Sequence, residues 1–448
     1  MSRDLSFDLA EHAASFPASA VPPDVANHLV ADLVDTVGVA LGGFNAPGVP
    51  ETRQWLTESS PQGPAVAWGS GLRLHPVAAA AANATAAHAL DYDDTLDEGG
   101  GMHAGSVVHA AALATADALG GVSGQDYVAA TAVGLDVAVR LALAPTQDFG
   151  WHRTSAFGIF GATVAVGRLR GLNAEQMRNA LGIAYSQSSG NRQCIPDGAL
   201  SKRLQAGFAA RDAITAVELA LRGLTGAHNA FEGPDGFFRL YQRDAWTRET
   251  VTEGLGEKLL SVRISTKPYP CGRNLHTIID AALAIRARAG GDGIDRVEIG
   301  LPAAALARSR REYPRHVVEA QFSAPFVVAL ALTTGTTPLA AFDEPANVDP
   351  AVKALFERTS LVEGANGDGS PVVTVYYAGG RTERAGDAVA KGNPAKPLTR
   401  DELEAKVLDA VAFAGEPISR ERAKDLVETG LALASAANTT AFTDLLRA

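Results

Sequence analysis

The sequence predicts a mainly α-helical protein, in which a large all-helical domain built from both chain ends is interrupted by a smaller α+β domain. Alanine-rich segments with apolar residues at helical spacing fill most of the chain before residue 260. Alternating polar and β-branched residues then dominate, and helical patterns return near the C-terminus. We therefore assign the helical domain to residues 1–261 and 391–448, and the α+β domain to residues 262–390.

The N-terminal helical part opens with VANHLVADLVDTVGVALGG, whose apolar residues recur at helical spacing until Gly42 and Gly43 end the helix. A proline-rich stretch follows, with AVAWGS as a short strand or connector. Beyond it, alanine-rich helices are predicted over residues 76–90, 107–119, 124–143, 155–169, 174–189 and 204–222. Because small side chains let helix axes approach one another, these helices should pack closely.

The inserted domain is indicated by segments in which polar and β-branched residues alternate, namely LLSVRIST, DRVEIGLP and SPVVTVYYAGGRT. Helical patterns lie between them at residues 276–289 and 324–333. Further on, Thr399 and Glu402 have the spacing of a capping box. This spacing predicts that helices resume near residue 400 and continue to the C-terminus.

Composition excludes several classes of protein. A net charge of −11 over 448 residues argues against a nucleic-acid partner, because phosphate binding needs clustered lysine and arginine. Cys194 and Cys271 are the only cysteines, too few for a disulfide framework or an all-cysteine iron–sulfur cluster. The acidic N-terminus does not fit a signal peptide, and we expect no apolar run to be long enough for a membrane helix. We expect a cytoplasmic protein with no membrane partner.

The most informative stretch is AAHALDYDDTLDEGGGMHAGSVVH, where an alanine-rich helix runs into aspartates, glycines and a histidine. On a continuing helix, the side chains of His88, Asp91 and Thr95 would share one face. Gly99–Gly101 would end that helix and let His103 turn back toward this face. The alternative is a solvated acidic helix end followed by a turn.

Further polar residues interrupt apolar helical segments at three places: His152, then Lys202 with Arg203, then Lys267 with Arg273 and His276. Their ordinary interpretations are a solvated Lys–Arg pair and buried histidines with structural hydrogen bonds. His152 precedes a predicted helix, where the helix dipole favours a neutral imidazole and attracts anions.

Several common catalytic motifs are absent from the sequence, which argues against the reactions that depend on them. The sequence has no GK[ST] phosphate loop, no strand-embedded GxGxxG, no GxSxG and no HExxH. His103 and His109 lie near several carboxylates, but their spacing matches no familiar metal-ligand pattern, so we predict no metal and no cofactor. The remaining imidazoles, carboxylates and cations suit proton transfer at a carbon next to a carboxylate, with Lys and Arg stabilising the negative charge.

These segments resemble the successive motifs of one family. HALDYDDT, WHRTSAFGIFGATVAVGRLRGLNAEQMRNALGIAYSQSSG, SKRLQAGFAA, GLTGAHNAFEGPDGFF, KPYPCGRNLHTIIDAA and KGNPAKPLTRDELEAKV are similar, in order, to motifs of the MmgE/PrpD family. That family includes 2-methylcitrate dehydratase, cis-aconitate decarboxylase and iminodisuccinate epimerase. The resemblance implies a homodimer, an α+β lid domain and a cofactor-free active site between the domains.

Carried over by position, the resemblance implies a site made of Asp91, Thr95, His103, His152, Lys202 and His276. In this interpretation Lys202 binds a substrate carboxylate, His103 and His152 transfer protons, and Asp91 orients a histidine or acts as an acid. His276 would reach in from the lid. Arg203, Lys267 and Arg273 are candidate substrate-binding residues.

The expected function is a cofactor-independent lyase that dehydrates a small hydroxy di- or tricarboxylic acid. Alternatives within the family are a decarboxylase and an epimerase, and outside these a metal-dependent hydratase or a non-catalytic binding protein. Asp97 and Glu98 add carboxylates next to the predicted site. Unless they point to solvent, they would repel a tricarboxylate and favour a substrate with fewer carboxylates.

Overall fold

A computed structural model describes residues 3–98, 101–306 and 312–448 of the chain. Within these residues the fold is mainly α-helical, which confirms the predicted class. The chain divides into two compact units, the first made of residues 1–266 and 400–448 and the second of residues 267–399. Gly99 and Gly100 of the predicted glycine turn lie outside the described residues.

The N-terminal part of the first unit is built mainly from helices. Their bounds are α1 Leu5–Ser15, α2 Pro23–Gly42, α3 Val49–Ser59, α4 Pro76–Ala87, α5 Ala104–Ala118, α6 Gly124–Leu143, α7 Arg153–Leu169, α8 Ala174–Tyr185, α9 Ser201–Leu221, α10 Phe237–Gln242 and α11 Arg248–Thr252. Short strands accompany them: β1 Gln62–Val66, β2 Arg73–Leu74, β3 Thr95–Leu96 and β4 Ile264–Ser265. Strand β1 pairs antiparallel with β2, and β3 pairs antiparallel with β4.

These strands correct the prediction of an all-helical first domain. Gly63 and Pro64 lie within β1, and both are poor helix formers. The segment LLSVRIST supplies only β4, because Leu260–Arg263 forms a 3₁₀ helix. The helix predicted over residues 124–143 is confirmed with the same bounds as α6.

The second unit combines short helices with one sheet. Its helices are α12 His276–Ala289, α13 Ala303–Leu306, α14 Val317–Gln321, α15 Ala324–Thr334, α16 Leu339–Asp343 and α17 Pro350–Phe356. Its strands are β5 Ile294–Leu301, β6 Thr359–Glu363, β7 Val372–Tyr377 and β8 Thr382–Ala385. The sheet order is β6-β5-β7-β8, with β6 parallel to β5 and the other pairs antiparallel.

The core of the second unit forms between this sheet and the helices α12 and α15. Ile278 and Ile285 of α12 and Val327 of α15 are fully buried in one cluster with Val297 and Val373 of the sheet. The predicted helix at 276–289 has the observed bounds, and strands are present in DRVEIGLP and SPVVTVYYAGGRT. The sequence analysis missed β6, a short strand at the edge of the sheet.

The chain then returns to the first unit with α18 Arg400–Phe413, α19 Arg420–Leu431 and α20 Thr440–Leu445. Helix α18 packs against α2, and Gly38 permits the contact, since an added Cβ would lie 2.6 Å from Val407 Cγ2. Two carboxylates of α2, on Asp32 and Asp35, are buried within this core.

Helix α2 requires a correction to the expectation about apolar runs. It is the helix among the described residues that is long and apolar enough to cross a membrane by length and composition. However, 78% of its most apolar window is buried inside the protein. Its contacts with α4, α18 and α19 are those of a core helix.

Close packing of the alanine-rich helices is confirmed where α6 crosses α7. The two helices meet at Gly134 and Gly161, and a Cβ added to either glycine would lie 2.5–2.6 Å from the other's carbonyl oxygen. Only glycine permits this approach. The same close spacing brings the ends of α4, α5, α7 and α9 together, and the candidate site lies at these ends.

Candidate active site

The acidic motif does not continue helix α4. The helix ends at Ala87, His88 is its C-cap, and Asp91 has a left-handed backbone with φ of 53°. Thr95 lies in β3, paired with Ser265. The prediction that His88, Asp91 and Thr95 share a helix face is therefore wrong, because a left-handed residue stops the helix.

Lys202 and Asp91 form an ion pair across the first unit, with Nζ 2.8 Å from Oδ1. Lys202 lies in the first turn of α9, which packs on α4 through Gly207. A Cβ added to Gly207 would lie 2.6 Å from the carbonyl oxygen of Ala81. Burial alone would lower the pKa of Lys202, but the Asp91 charge outweighs it and the pKa is raised. Lys202 is therefore a fixed ammonium.

Next to this pair, Asp93, His88 and His152 form a hydrogen-bonded series. His88 Nδ1 lies 2.7 Å from Asp93 Oδ2, and its Nε2 lies 3.4 Å from His152 Nε2. All three side chains are buried. His152 is the N-cap residue of α7, as its position before a predicted helix indicated. Asp93 thus holds His88, and Asp91 holds Lys202.

His103 completes the group of imidazoles. Its ring centre lies 4.9 Å from that of His88, which in turn lies 5.2 Å from that of His152. His103 Nδ1 donates to the backbone carbonyl of Asp94 at 2.6 Å and lies 3.3 Å from Asp93 Oδ1. Since Nδ1 holds the proton, Nε2 of a neutral His103 is the proton-accepting nitrogen.

Burial decides the charge of these groups. It lowers the pKa of His88 to about 4, although Asp93 opposes the shift. Burial, together with the charges of His88 and Lys202, lowers the pKa of His152 well below its usual range. For Asp93, burial would raise the pKa, but the contacts with His103 and His88 outweigh it and lower the pKa strongly. At neutral pH the site therefore contains neutral imidazoles beside an aspartate anion.

A second buried cluster joins helices α2, α5 and α6. His109 Nε2 is 3.0 Å from Asp32 Oδ2, and its Nδ1 is 3.0 Å from the hydroxyl of Tyr127. We call these three residues the Asp32 cluster. Burial raises the pKa of Asp32 to about 7 and lowers the pKa of His109 to about 3.

Lys406 of α18 ties the acidic motif to α2. Its ammonium lies 2.5 Å from Asp35 Oδ1, donates to the Tyr92 carbonyl at 2.9 Å and lies 4.0 Å from the Tyr92 ring centre. Asp94 ties the same loop to α5, because its Oδ2 accepts a hydrogen bond from the Gly105 backbone N–H at 2.9 Å. The loop between α4 and α5 is thus held by buried polar contacts on both sides.

The donor atoms of His88, Asp93 and His103 lie within 4.8 Å of one another, a spacing that suits a metal ion. A histidine that binds a metal through Nε2 commonly donates Nδ1–H to a carboxylate or carbonyl, so those hydrogen bonds of His88 and His103 do not decide the question. His88, however, has a side-chain partner at each ring nitrogen, since its Nδ1 contacts Asp93 and its Nε2 lies 3.4 Å from His152 Nε2. We therefore assign no metal ligands here.

Asp97 and Glu98 are exposed. Ser265 donates to Asp97 Oδ2 at 2.8 Å, and Glu98 forms an ion pair with Arg263. These carboxylates therefore give no reason to exclude a tricarboxylate substrate. Arg203, a candidate substrate-binding residue, donates to the Pro47 carbonyl at 2.5 Å, so its described hydrogen bond holds the loop before α3.

The remaining predicted residues belong to the second unit. Arg273 Nη1 lies 3.1 Å from His276 Nδ1 and donates to the Lys391 carbonyl at 2.8 Å. His276 is fully buried, and its Nε2 lies 3.4 Å from the Cys271 carbonyl. Lys267 is also buried. These three residues stay predictions as parts of the site.

The sequence analysis did not include His88, Asp93 or Lys406 among its candidates. The HALDYDDT motif offered a signal, since it places His88 five positions before Asp93. Lys406 gave a weaker one, as a lysine in a helix whose neighbours Val407 and Leu408 are apolar. Its contact with Asp35 joins residues from opposite ends of the chain, and spacing along the sequence does not reveal such pairs.

A helical unit that buries neutral imidazoles against a carboxylate and a fixed ammonium has the arrangement of an enzyme that works by acid–base chemistry. Comparison with known families makes this specific. The MmgE/PrpD N-terminal domain matches residues 7–249, and the MmgE/PrpD C-terminal domain matches residues 269–430. The chain belongs to the MmgE/PrpD family.

Several relatives are named as cis-aconitate decarboxylases or as similar to them. The cis-aconitate decarboxylase-like protein oryM of Aspergillus oryzae is 26% identical, over 97% of this chain and 95% of the relative. Cis-aconitate decarboxylase of Aspergillus terreus is 27% identical, over 75% of this chain and 73% of the relative. The Mus musculus cis-aconitate decarboxylase is 25% identical, over 88% of this chain and 83% of the relative. At this level the comparisons support a lyase.

Proposed function

We propose that the protein is a cofactor-independent lyase that removes a proton from the carbon α to a carboxylate in a small hydroxy di- or tricarboxylic acid and expels water from the neighbouring carbon. The observation that supports this most strongly is the Lys202–Asp91 ion pair beside neutral, buried histidines. A neutral imidazole is the form that accepts a proton, and an ammonium stabilises the anion that results.

In this proposal Lys202 binds the substrate carboxylate, and Asp91 holds its ammonium in place. As the α proton leaves, negative charge builds on that carboxylate, where Lys202 stabilises it. His152 and His103 transfer the protons. Thr95 stays a candidate from the family resemblance, as do the second-unit residues Lys267, Arg273 and His276. From the same resemblance we propose a homodimer, and the cytoplasmic location stays a prediction.

Decarboxylation is the second candidate, and the names of the relatives favour it. Loss of carbon dioxide leaves a carbanion that Lys202 also stabilises, but this reaction then needs a proton donor. His88 and His152 are neutral because burial lowers their pKa values, so neither holds an extra proton to give, although the same lowering makes each a weaker base. The neutral form of these histidines supports proton abstraction, while the names of the relatives support decarboxylation.

Incubation of the purified protein in deuterated water with citrate-like, malate-like and iminodiacid compounds and with cis-aconitate tests both candidates. We expect an unsaturated acid to form from a hydroxy acid, with deuterium entering at the α carbon of the remaining substrate. Carbon dioxide release from cis-aconitate would assign a decarboxylase, and exchange with inversion alone an epimerase. No turnover and no exchange with any compound would contradict the proposal.

The Lys202→Met variant is the first to compare in this assay. It removes the ammonium while keeping most of the side-chain length, and Lys202→Arg is the matched variant that keeps the charge. Near wild-type turnover in Lys202→Met would contradict its role, and so would near wild-type turnover in His103→Gln for that histidine.

A further inference from the structure

His88 lies at the centre of the site, yet the proposed reaction gives it no task. It is fully buried, and both ring nitrogens contact other side chains of the site. Its Nδ1 lies 2.7 Å from Asp93 Oδ2, and its Nε2 lies 3.4 Å from His152 Nε2. It thus joins a carboxylate to one of the proposed proton-transferring histidines.

These contacts determine where the protons are. The Asp93 carboxylate only accepts hydrogen bonds, so the proton of neutral His88 is on Nδ1 and its Nε2 has a lone pair. The contact between the two Nε2 atoms then requires the proton of His152 on its Nε2. This leaves a lone pair on His152 Nδ1. That atom is buried and has no hydrogen-bond partner among the described residues.

We propose that Asp93 and His88 form a relay with His152, which fixes the Nε2–H form of His152 so that its Nδ1 is the base that accepts the substrate proton. His88 is then a positioning residue, and Asp93 acts through it. The relay rests on the proposed function for its substrate step, but the proton positions in the free protein do not depend on it. A buried lone pair without a donor is costly until a ligand supplies a proton.

The proton step balances. The substrate Cα–H bond breaks, its electron pair stays on the substrate as a carboxylate-stabilised anion, and an N–H bond forms at His152 Nδ1. The Nε2 proton of His152 can shift toward His88, and the Nδ1 proton of His88 toward Asp93, so the new positive charge is shared along the relay and paired with a buried anion. The proton returns with the leaving hydroxide, which departs as water.

The charged and titratable groups that face His152 come from the elements around it. His88 and Asp93 follow α4, His103 precedes α5, and Lys202 lies on α9. Lys202 opposes a positive charge on His152, as a protonated His88 or His103 would, and Asp93 favours it. Loss of the Asp93 charge should therefore weaken His152 as a base.

The test replaces His88 by Gln, which can still accept from His152 and donate to Asp93 but cannot take up a proton. We expect kcat to fall about 10²-fold, the size typical of lost general acid–base assistance, with KM nearly unchanged. The pH profile of kcat should also move, because the histidine that shares the charge is gone. His75→Gln is the matched control, since His75 is exposed at the other end of α4, and it should keep wild-type kcat.

Nitrogen-15 NMR of the histidine-labelled free protein tests the relay without any substrate. We expect protonated Nε2 and unprotonated Nδ1 for His152 in the wild type, and a mixture of the two forms in Asp93→Asn. A His152 with its proton on Nδ1 in the wild type would overturn the relay. So would a His88→Gln variant with unchanged kcat and pH profile. The predicted NMR result with an inactive protein would instead overturn the proposed function and leave the relay standing.

Discussion

Two buried His–Asp pairs in the first unit have similar geometry and different surroundings. In the Asp32 cluster, both ring nitrogens of His109 are satisfied, by Asp32 and by Tyr127, each at 3.0 Å. In the relay, the series from Asp93 through His88 ends at His152 Nδ1, which has no hydrogen-bond partner among the described residues. The comparison teaches that a buried His–Asp pair is not in itself a site. What distinguishes the relay is the open proton acceptor at its end.

The two carboxylates differ as well. Burial raises the pKa of Asp32 to about 7, so it holds a proton over much of the neutral range. Asp93 stays ionised, because the histidine contacts lower its pKa strongly against the effect of burial. An anion stabilises an imidazolium, and near pH 7 Asp93 is fully ionised whereas Asp32 is only about half ionised, so the relay is the better support for a base.

The largest difference between the relay and the Asp32 cluster should appear in kcat when the aspartate of each is changed to asparagine. Asp93→Asn removes the anion and should lower kcat on the order of 10³-fold, since amide replacement of a histidine-holding carboxylate disturbs the imidazole tautomer. Asp32→Asn replaces a carboxyl that is about half protonated near pH 7 with a neutral amide and should keep kcat within about threefold. Steady-state kinetics on the substrate found by the compound panel measure both. Equal losses of kcat in Asp93→Asn and Asp32→Asn would contradict the proposed difference between the relay and the Asp32 cluster.

The comparison extends to the two Lys–Asp pairs. Lys202→Met should lower kcat/KM by about 10²- to 10³-fold, because it removes a charge that stabilises the transition state. The Lys202–Asp91 pair is partly exposed, so the free energy of unfolding should change by no more than about 1 kcal/mol.

Lys406→Met should instead act mainly on the stability of the protein. The Lys406–Asp35 pair is buried, and loss of the lysine leaves an unpaired carboxylate in the core. The free energy of unfolding should fall by about 3–5 kcal/mol. Denaturant unfolding measures this, and an equally stable Lys406→Met protein would show that Asp35 needs no partner.

Stability should depend on pH through the Asp32 cluster. The pKa of Asp32 is raised from 3.8 to about 7 by burial, so the folded state holds its proton more tightly than the unfolded chain does. Its contribution is complete below the unfolded pKa and is lost as pH rises through the folded one. We expect Asp32 to make Tm fall between about pH 4 and pH 7, and Asp32→Asn to flatten that fall. The same slope in both proteins would contradict this assignment.

The smallest effect should follow dialysis against a metal chelator. Both ring nitrogens of His88 already contact side chains of the site, so the site should work without a metal ion. We expect unchanged turnover, measured before and after dialysis. Lost activity that zinc or another divalent ion restores would favour a metal-dependent hydratase.

Much of the fold could be predicted because helical periodicity is a local signal. The helices at residues 124–143 and 276–289 have the predicted bounds. Prediction was weaker where the backbone departs from its local pattern. Helix α4 was extended to residue 90, past its end at Ala87, because alanine at 89 and leucine at 90 suit a helix and nothing local shows that Asp91 is left-handed.

The candidate site was predicted in part. Family motifs indicated Lys202 and Asp91 separately, but not that they contact each other across 111 positions. His88 has the sequence context of a core histidine, and its role depends on contacts with residues five and 64 positions away. Such contacts depend on how the helices pack, so the residues that set the proton positions could only be found in three dimensions.

The most direct measurement follows deuterium exchange at the α carbon of an analogue of the preferred substrate that lacks the hydroxyl group. Such a compound cannot lose water, so exchange in deuterated water reports proton removal alone. The relay predicts exchange by the wild type and on the order of 10³-fold slower exchange by Asp93→Asn, while Asp32→Asn stays close to the wild type. Equal exchange by the wild type and Asp93→Asn would contradict it.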